Sequence, residues 1–116
     1  DNFAEARIKK EEARSQLADE YSSIAASSDA TPEEQVAARD KSMQILNINQ
    51  GEEQLESLVK AKGYENVLVI SDEAKVQIVV DAEELTAAQA NDIIMLAKEQ
   101  LGTNNNVSVS HNIGSN

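Results

Sequence analysis

Three carboxylates, Asp81, Glu83 and Glu84, are the densest group of side chains that could do chemistry, and they lie just before a predicted helix. Such a group could bind a metal ion or serve as an acid and base pair. Calcium loops, however, space their oxygen ligands regularly around a turn glycine, which is missing here. Acidic residues at this position also favour the positive end of the helix. We therefore interpret the three as helix-flanking acids and predict no metal site.

His111 is the only histidine, and it follows Ser108 and Ser110 on one short segment. A catalytic triad depends on a geometry that closeness in sequence does not supply. The chain also has no cysteine, no glycine-rich phosphate loop and no G-x-S-x-G motif. We therefore expect a surface histidine, no catalytic residue, no cofactor and no enzymatic activity.

Charge and composition limit the classes of function further. The 116 residues carry a formal net charge of -11, and a field of that sign repels nucleic acids and anionic lipids. Aromatic residues make up 3% of the chain, so the core must be aliphatic. No apolar run approaches the roughly 18 residues of a membrane helix. Because the sequence starts at Asp1, we expect any signal or membrane anchor to lie outside it.

The first half of the sequence predicts two helices. Residues 3–28 repeat apolar side chains at steps of three and four, as on one face of a helix. Thr31, Pro32 and Glu34 then form the N-terminal signature of a second helix, with Thr31 as the cap and Glu34 completing a capping box. The short turn between the helices favours antiparallel packing over a free partner-binding or coiled-coil helix.

The second helix is expected to continue, kinked or straight, to Lys62, with Gly63 as its C-terminal capping glycine. Gly51 weakens this helix by about 1 kcal/mol. A break at residues 49–51 is the alternative, and it would mark a domain boundary.

After Gly63 the apolar period changes from 3.6 to two. The segments "ENVLVIS" and "KVQIVVD" predict two strands that the turn "SDEA" joins as a hairpin. Thr86 and Gln89 predict a capping box at the start of a third helix, which Gly102 ends. "NVSVSHN" predicts a last strand after the loop "TNNN", and the tail "IGSN" is expected to fray.

These elements predict an α+β fold in two parts. Residues 1–50 form a long N-terminal helical extension, and residues 51–116 form an α-β-β-α-β module whose three-stranded sheet has helices packed on one face. A hairpin followed by a right-handed crossover most simply places the first strand in the middle, and its continuous apolar run fits that position. The other face of the sheet must be covered by the N-terminal helix or by another protein.

Nearly the whole chain resembles the extracytoplasmic domains of the stage III sporulation protein AH family. The resemblance is carried by "VKAKGYENVLVISD", "VQIVVDAEELT" and "NVSVSHN", and upstream by the helical segment that starts "ARIKKEEARSQLADEY". None of these is a catalytic motif. The family is in turn similar to the ring-building modules of secretion systems and flagellar basal bodies, so the resemblance implies a ring-building module behind a helical lead-in.

The resemblance also implies a place and a partner. It implies a mother-cell membrane protein whose soluble domain lies in the space between mother cell and forespore. There it would bind the extracellular domain of stage II sporulation protein Q, which resembles a LytM-type metallopeptidase. It would also assemble into a ring with itself or with related subunits, as part of a channel that feeds the forespore. A small ligand-binding regulatory domain is the alternative that the element order leaves open.

The partner surface is predicted on physical grounds, because an exposed strand edge can bind a second chain through main-chain hydrogen bonds. "TNNNVSVSHN" is either a recognition loop leading into such an edge or a flexible loop. Eight residues are the interface candidates: Lys75, Gln77 and Val79 on one predicted edge, Asn106, Ser108 and Ser110 on the other, and Arg39 and Lys41 on the second helix.

Overall fold

The computed structural model describes residues 2–71, 75–102 and 106–111 of the chain. Its elements are α1 (Asn2–Ala26), α2 (Pro32–Lys60), β1 (Val67–Ser71), β2 (Lys75–Val80), α3 (Ala87–Leu101) and β3 (Asn106–His111). The α+β class and the predicted order of elements are confirmed. The centre of the predicted "SDEA" turn, most of the "TNNN" loop and the predicted frayed tail lie outside the described residues.

Local sequence signals set the ends of the helices. Thr31 accepts a hydrogen bond from the Glu34 backbone N–H at 3.1 Å, and its own N–H donates to the Glu34 carboxylate at 2.9 Å. The same reciprocal capping box joins Thr86 and Gln89 ahead of α3. The bond from the Thr31 N–H, and then the one with its side chain, holds the pKa of Glu34 below its ordinary value.

α2 continues unbroken through Gly51, which confirms the prediction of a continuous helix. It ends at Lys60, two residues before the predicted end, and the N–H of Ala61 caps it by donating to Ser57. Gly63 follows with a φ of 115°, a left-handed conformation that glycine adopts without steric cost. Glycine is therefore favoured at this turn. The C-cap position belongs to Ala61 and not to Gly63 as predicted, although the Gly63 N–H donates to the carbonyl of Lys60, the last helical residue, at 2.9 Å.

α1 and α2 pack side by side as the predicted helical hairpin, which lengthens the molecule to 53 Å. In α1 and the N-terminal half of α2, the buried apolar residues are Phe3 and Ala38. On the outer half of the hairpin, Val36, Met43 and Leu46 are more than half exposed. α1 and the N-terminal half of α2 therefore contribute little to the core, and much of their apolar surface faces solvent.

The strand order is β1-β2-β3, so the prediction that the first strand lies in the middle is wrong. β1 pairs antiparallel with β2, and β3 pairs parallel with β2 through the α3 crossover. β2 is the central strand, and β1 and β3 are the edges. The apolar run of β1 is explained by burial: Val67, Leu68 and Val69 are at most 1% exposed although their strand is an edge.

The core lies between one face of the sheet and the helices α2 and α3. Its fully buried residues are Leu55, Val59, Val67, Val69, Val76, Ile78, Val80, Ile93 and Ala97. All of them are aliphatic, as the low aromatic content requires. None comes from α1, and the partly buried Leu101, Val107 and Val109 pack against this cluster.

The second face of the sheet is apolar mainly along β1. Leu68 and Ile70 pair with Val79 and Gln77, so these four side chains share that face. Gln77 is exposed and Val79 is partly exposed. Neither α1 nor another described element therefore covers this face over β2, and α1 contacts the sheet only at β1.

Candidate protein interaction site

Six of the eight predicted interface residues form one continuous surface. Lys75, Gln77 and Val79 point to the same side of β2, because side chains alternate along a strand. Each of the three pairs with a residue of β3, and these partners are Asn106, Ser108 and Ser110. All six are exposed except Val79, which is partly exposed. We call these six residues the polar sheet face.

Of the two strands that were predicted to be edges, β2 and β3, only β3 lies at an edge of the sheet. Lys75, Gln77 and Val79 were predicted to mark an edge, and this placement is wrong because β2 is paired on both sides. β2 lies in the centre because the α3 crossover returns the chain to the side of β2 that β1 does not occupy. Beyond β3 no further strand pairs in the described part of the chain. The outer backbone groups of β3 therefore form the sheet edge that is open to another strand.

The outer edge of β1, by contrast, is covered by charged side chains. Its three outward carbonyl oxygens belong to residues 67, 69 and 71. They accept hydrogen bonds from Arg7 at 2.7 Å, Lys10 at 3.0 Å and Arg14 at 3.0 Å, respectively. All three donors lie on α1 at spacings of three and four residues, which place them on one side of the helix.

The outward N–H groups of the same edge are bound from α2. The N–H of Val69 donates to the Glu56 carboxylate at 2.9 Å, and the N–H and hydroxyl of Ser71 both donate to Glu52. Glu52 and Glu56 are four residues apart and therefore lie on one side of α2. Five successive outward groups of β1 thus each bind a charged side chain.

The two carboxylates also bind the cations of α1. Arg14 binds Glu52 through two parallel bonds of 2.7 and 2.8 Å, and Lys10 lies 3.1 Å from Glu52 and 3.7 Å from Glu56. Arg7 binds Glu56 at 2.8 Å. We call these five residues the β1 clasp. Burial alone would raise the pKa of Glu52, but the bonds from Arg14 and Ser71 and the charges of Lys10 and Arg14 hold it below its ordinary value.

Sequence analysis missed the β1 clasp, although the pattern was visible. The cations at positions 7, 10 and 14 repeat at helical spacing, and so do Glu52 and Glu56. Charged residues at such spacing are usually a solvated surface, and only the fold reveals that both rows meet at a strand edge. Glu52, at 1% exposure, is among the most buried side chains of the protein.

The remaining predicted residues do not join the polar sheet face. Arg39 lies on the helical hairpin beside a groove with Met43 and Leu46, whereas Lys41 lines a different groove with Tyr21 and Ile24. The two positions are about 200° apart around the helix, so they mark different sides of α2.

The side chains that the sequence offered as candidates for chemistry, the three carboxylates and His111 with its two neighbouring serines, do not form a catalytic or metal-binding arrangement. Asp81 accepts a hydrogen bond from the Asn66 amide at 3.0 Å, and Glu83 and Glu84 are exposed. His111 donates through Nδ1 to the Ala82 carbonyl at 3.0 Å. Because side chains alternate along β3, His111 faces away from Ser108 and Ser110. Among the described residues, no cluster of three or more His, Asp or Glu side chains could hold a metal ion.

No helix in the described part of the chain combines the length and the apolar character that crossing a bilayer requires.

The fold and the site together define a small α+β module with a helical hairpin, in which one sheet edge is open and the other is covered. The chain belongs to the family described as SpoIIIAH-like protein, which it matches over residues 1–109. It is 34% identical over 110 residues to stage III sporulation protein AH of Bacillus subtilis (strain 168). That match covers 95% of this chain and 50% of the relative, so the chain spans about half the length of that protein.

A solved structure shares the same fold. A chain of the structure described as "Structure of the SpoIIQ-SpoIIIAH pore forming complex" superposes with a TM-score of 0.90 at 34% identity. The match covers 96% of each chain. The predicted family resemblance and the α+β fold class are therefore confirmed.

Proposed function

We propose that this chain is a non-enzymatic interaction module of a sporulation channel complex and that it binds a SpoIIQ-type protein through the open edge of β3. The observation that carries the proposal is the difference between the two edges of the sheet. The outward groups of β1 bind charged side chains, while β3 has no further strand beside it among the described residues. The name of the matching complex supports the choice of partner.

The polar sheet face would contribute side-chain contacts beside that edge. Asn106, Ser108 and Ser110 lie on β3 itself, and their exposed neighbours on β2 widen the surface. Main-chain bonds along β3 would supply affinity, and these small polar side chains would set the register with the partner strand. Arg39 and Lys41 lie on the hairpin and would be more distant, secondary contacts.

We further propose the arrangement that the family resemblance implies. Residues 51–116 would be the ring-building module and residues 1–50 its helical extension. Copies of the chain, or related subunits, would assemble into a ring in the space between mother cell and forespore. A membrane anchor in the mother-cell membrane would hold each copy. A closed ring needs heterologous contacts between neighbouring copies, and tethering to a membrane would raise their effective concentration.

The first experiment is light scattering after size exclusion of this chain, alone and mixed with the extracellular domain of stage II sporulation protein Q. We expect a shift to a stable heterodimer. Two separate monomers at high micromolar concentrations would contradict the proposed partner. In that case, binding in a small-molecule screen would favour the regulatory-domain alternative.

Proline substitutions then test the edge. Successive N–H groups of a strand point to opposite edges. Of the two variants Ser108→Pro and Val109→Pro, one therefore removes an N–H that faces β2 and the other removes an N–H that faces away from β2, which is the informative variant. We expect that variant to fold and to lose partner binding, whereas Ser108→Ala keeps the main-chain bonds and binds. Tight binding by both folded proline variants would exclude main-chain pairing at β3.

A test of the ring keeps the chain on a surface. We expect the chain, tethered by an N-terminal His tag to nickel-lipid monolayers, to form closed rings visible by electron microscopy. A uniform layer of unassociated copies at saturating density would contradict self-assembly, and rings that form only with the partner added would assign closure to the complex.

A further inference from the structure

We infer that α1 guards the β1 edge against strand pairing, so that the sheet offers only one edge to other chains. The inference concerns the chain by itself and does not depend on the proposed partner. An unguarded edge strand presents a row of unpaired N–H and C=O groups to any other strand. Here the outward groups of residues 67, 69 and 71 instead bind the five side chains of the β1 clasp.

The geometry of α1 suits this task. Its cations advance by three and then four residues, which is about 4.5 and then 6 Å along a helix. The carbonyls that they bind advance by two residues per step, which is about 6.6 Å along a strand. Because Arg7, Lys10 and Arg14 bind the carbonyls of residues 67, 69 and 71 in that order, α1 runs in the same direction as β1. The flexible side chains bridge the small difference between the two rises. The helix takes the place that a fourth strand would have occupied.

Closing this edge limits how the sheet can associate. If both edges were open, β3 of one copy could pair with β1 of the next. Such a head-to-tail contact is heterologous, and it leads to open-ended filaments when the rotation between copies does not close. With β1 covered, pairing at β3 joins one partner and stops.

The guard is also separable from the core. The buried cluster between the sheet, α2 and α3 contains no residue of α1. Opening the clasp therefore removes the cover from β1 without removing a side chain from that cluster. The chain can be tested with the edge open and the core still folded.

Lys10 is the best position for the test, because its Nζ lies near both carboxylates and bonds the Val69 carbonyl. Lys10→Glu places a third carboxylate against Glu52 and Glu56, and like charges at such distances repel. Lys9→Glu is the matched control: the residue is exposed, lies on the same helix, and its replacement changes the net charge equally.

The readouts are light scattering and hydrogen exchange measured by mass spectrometry over residues 67–71. In dilute solution we expect faster exchange in this segment for Lys10→Glu than for Lys9→Glu. At high micromolar concentration we expect Lys10→Glu to reach the mass of a dimer or larger, with protection returning to residues 67–71. Wild type and Lys9→Glu should stay monomeric.

Three results would overturn the inference. They are a folded Lys10→Glu variant that stays monomeric, exchange in residues 67–71 as slow as in Lys9→Glu, and association that leaves these residues unprotected. If Lys10→Glu loses its helical circular dichroism, Lys10→Ala decides with the same readouts. It leaves Glu52 bound by Arg14 and Glu56 by Arg7 while freeing the Val69 carbonyl.

Discussion

Arg14 is the side chain whose removal should reveal most about how the hairpin is held to the module. It binds Glu52 through two bonds of 2.7 and 2.8 Å, the Asn49 side chain at 2.6 Å and the Ser71 carbonyl at 3.0 Å. Glu52 is 1% exposed. Arg14→Ala therefore leaves a buried carboxylate without its principal partner.

The magnitude follows from what remains around Glu52. Breaking a buried ion pair by deleting one partner costs about 3–5 kcal/mol. Glu52 keeps Lys10 at 3.1 Å and the two donors of Ser71, so the lower end of that range applies. We expect Arg14→Ala to lower the free energy of unfolding by about 3 kcal/mol. Urea denaturation at pH 7, followed by circular dichroism, measures this difference.

Two controls separate the ion pair from general effects. Lys9→Ala removes an exposed cation five residues away on α1 and should change the free energy of unfolding by less than about 0.5 kcal/mol. The double variant Arg14→Met with Glu52→Gln removes both charges and should recover part of the loss, since no buried charge is left unpaired. If Arg14→Ala were as stable as Lys9→Ala, the β1 clasp would not contribute to the free energy of unfolding, and our account of the β1 edge would be refuted.

Three further predictions test separate parts of the structure. The folded-state pKa of Glu52 lies below its ordinary value of 4.5, so its ionised form stabilises the fold above pH 4.5 and this stability is lost as the pH falls through the folded-state pKa. Urea denaturation over a series of pH values should therefore show the advantage of wild type over Glu52→Gln shrinking as the pH is lowered below 4.5. Thr31→Ala removes the α2 cap and should lower the unfolding free energy by about 1 kcal/mol, with Ser28→Ala as an exposed control. Gly51→Ala should raise the free energy of unfolding by about 0.5 kcal/mol in thermal denaturation. The new Cβ would lie 3.2 Å from Cδ2 of the partly buried Leu101, and we expect the gain in helix propensity to exceed the cost of the small shift that this contact requires. A lower melting temperature would mean that Leu101 cannot shift.

The two edges of the sheet raise two different questions: what the chain binds at β3, and how it avoids strand pairing at β1. The family relationship concerns what related proteins assemble with, and it says nothing of how this chain avoids pairing with itself. The β1 clasp concerns the second question alone. A chain that bound its partner normally yet aggregated after Lys10→Glu would show that recognition at β3 and protection at β1 are independent properties of one sheet.

Local sequence signals determined the elements of this protein. The capping boxes at Thr31 and Thr86, the change of apolar period after Gly63 and the alternation in "NVSVSHN" each act over a few residues. Every helix and strand was predicted from such signals, with ends displaced by no more than two residues. The continuity of α2 through Gly51 followed as well, because one glycine costs about 1 kcal/mol and the neighbouring turns offset it.

Tertiary structure alone decided the strand order and the role of the charges. The apolar run at residues 67–70 reflects the burial of β1 and not a central position in the sheet. In the sequence alone, a buried edge strand and a central strand give the same apolar pattern. β1 can lie at the edge because the cations of α1 and the carboxylates of α2 bind the groups that a fourth strand would have paired. Those side chains lie more than 35 residues apart in the chain. Their contact depends on how two helices and a strand pack together, which no local pattern of the sequence encodes.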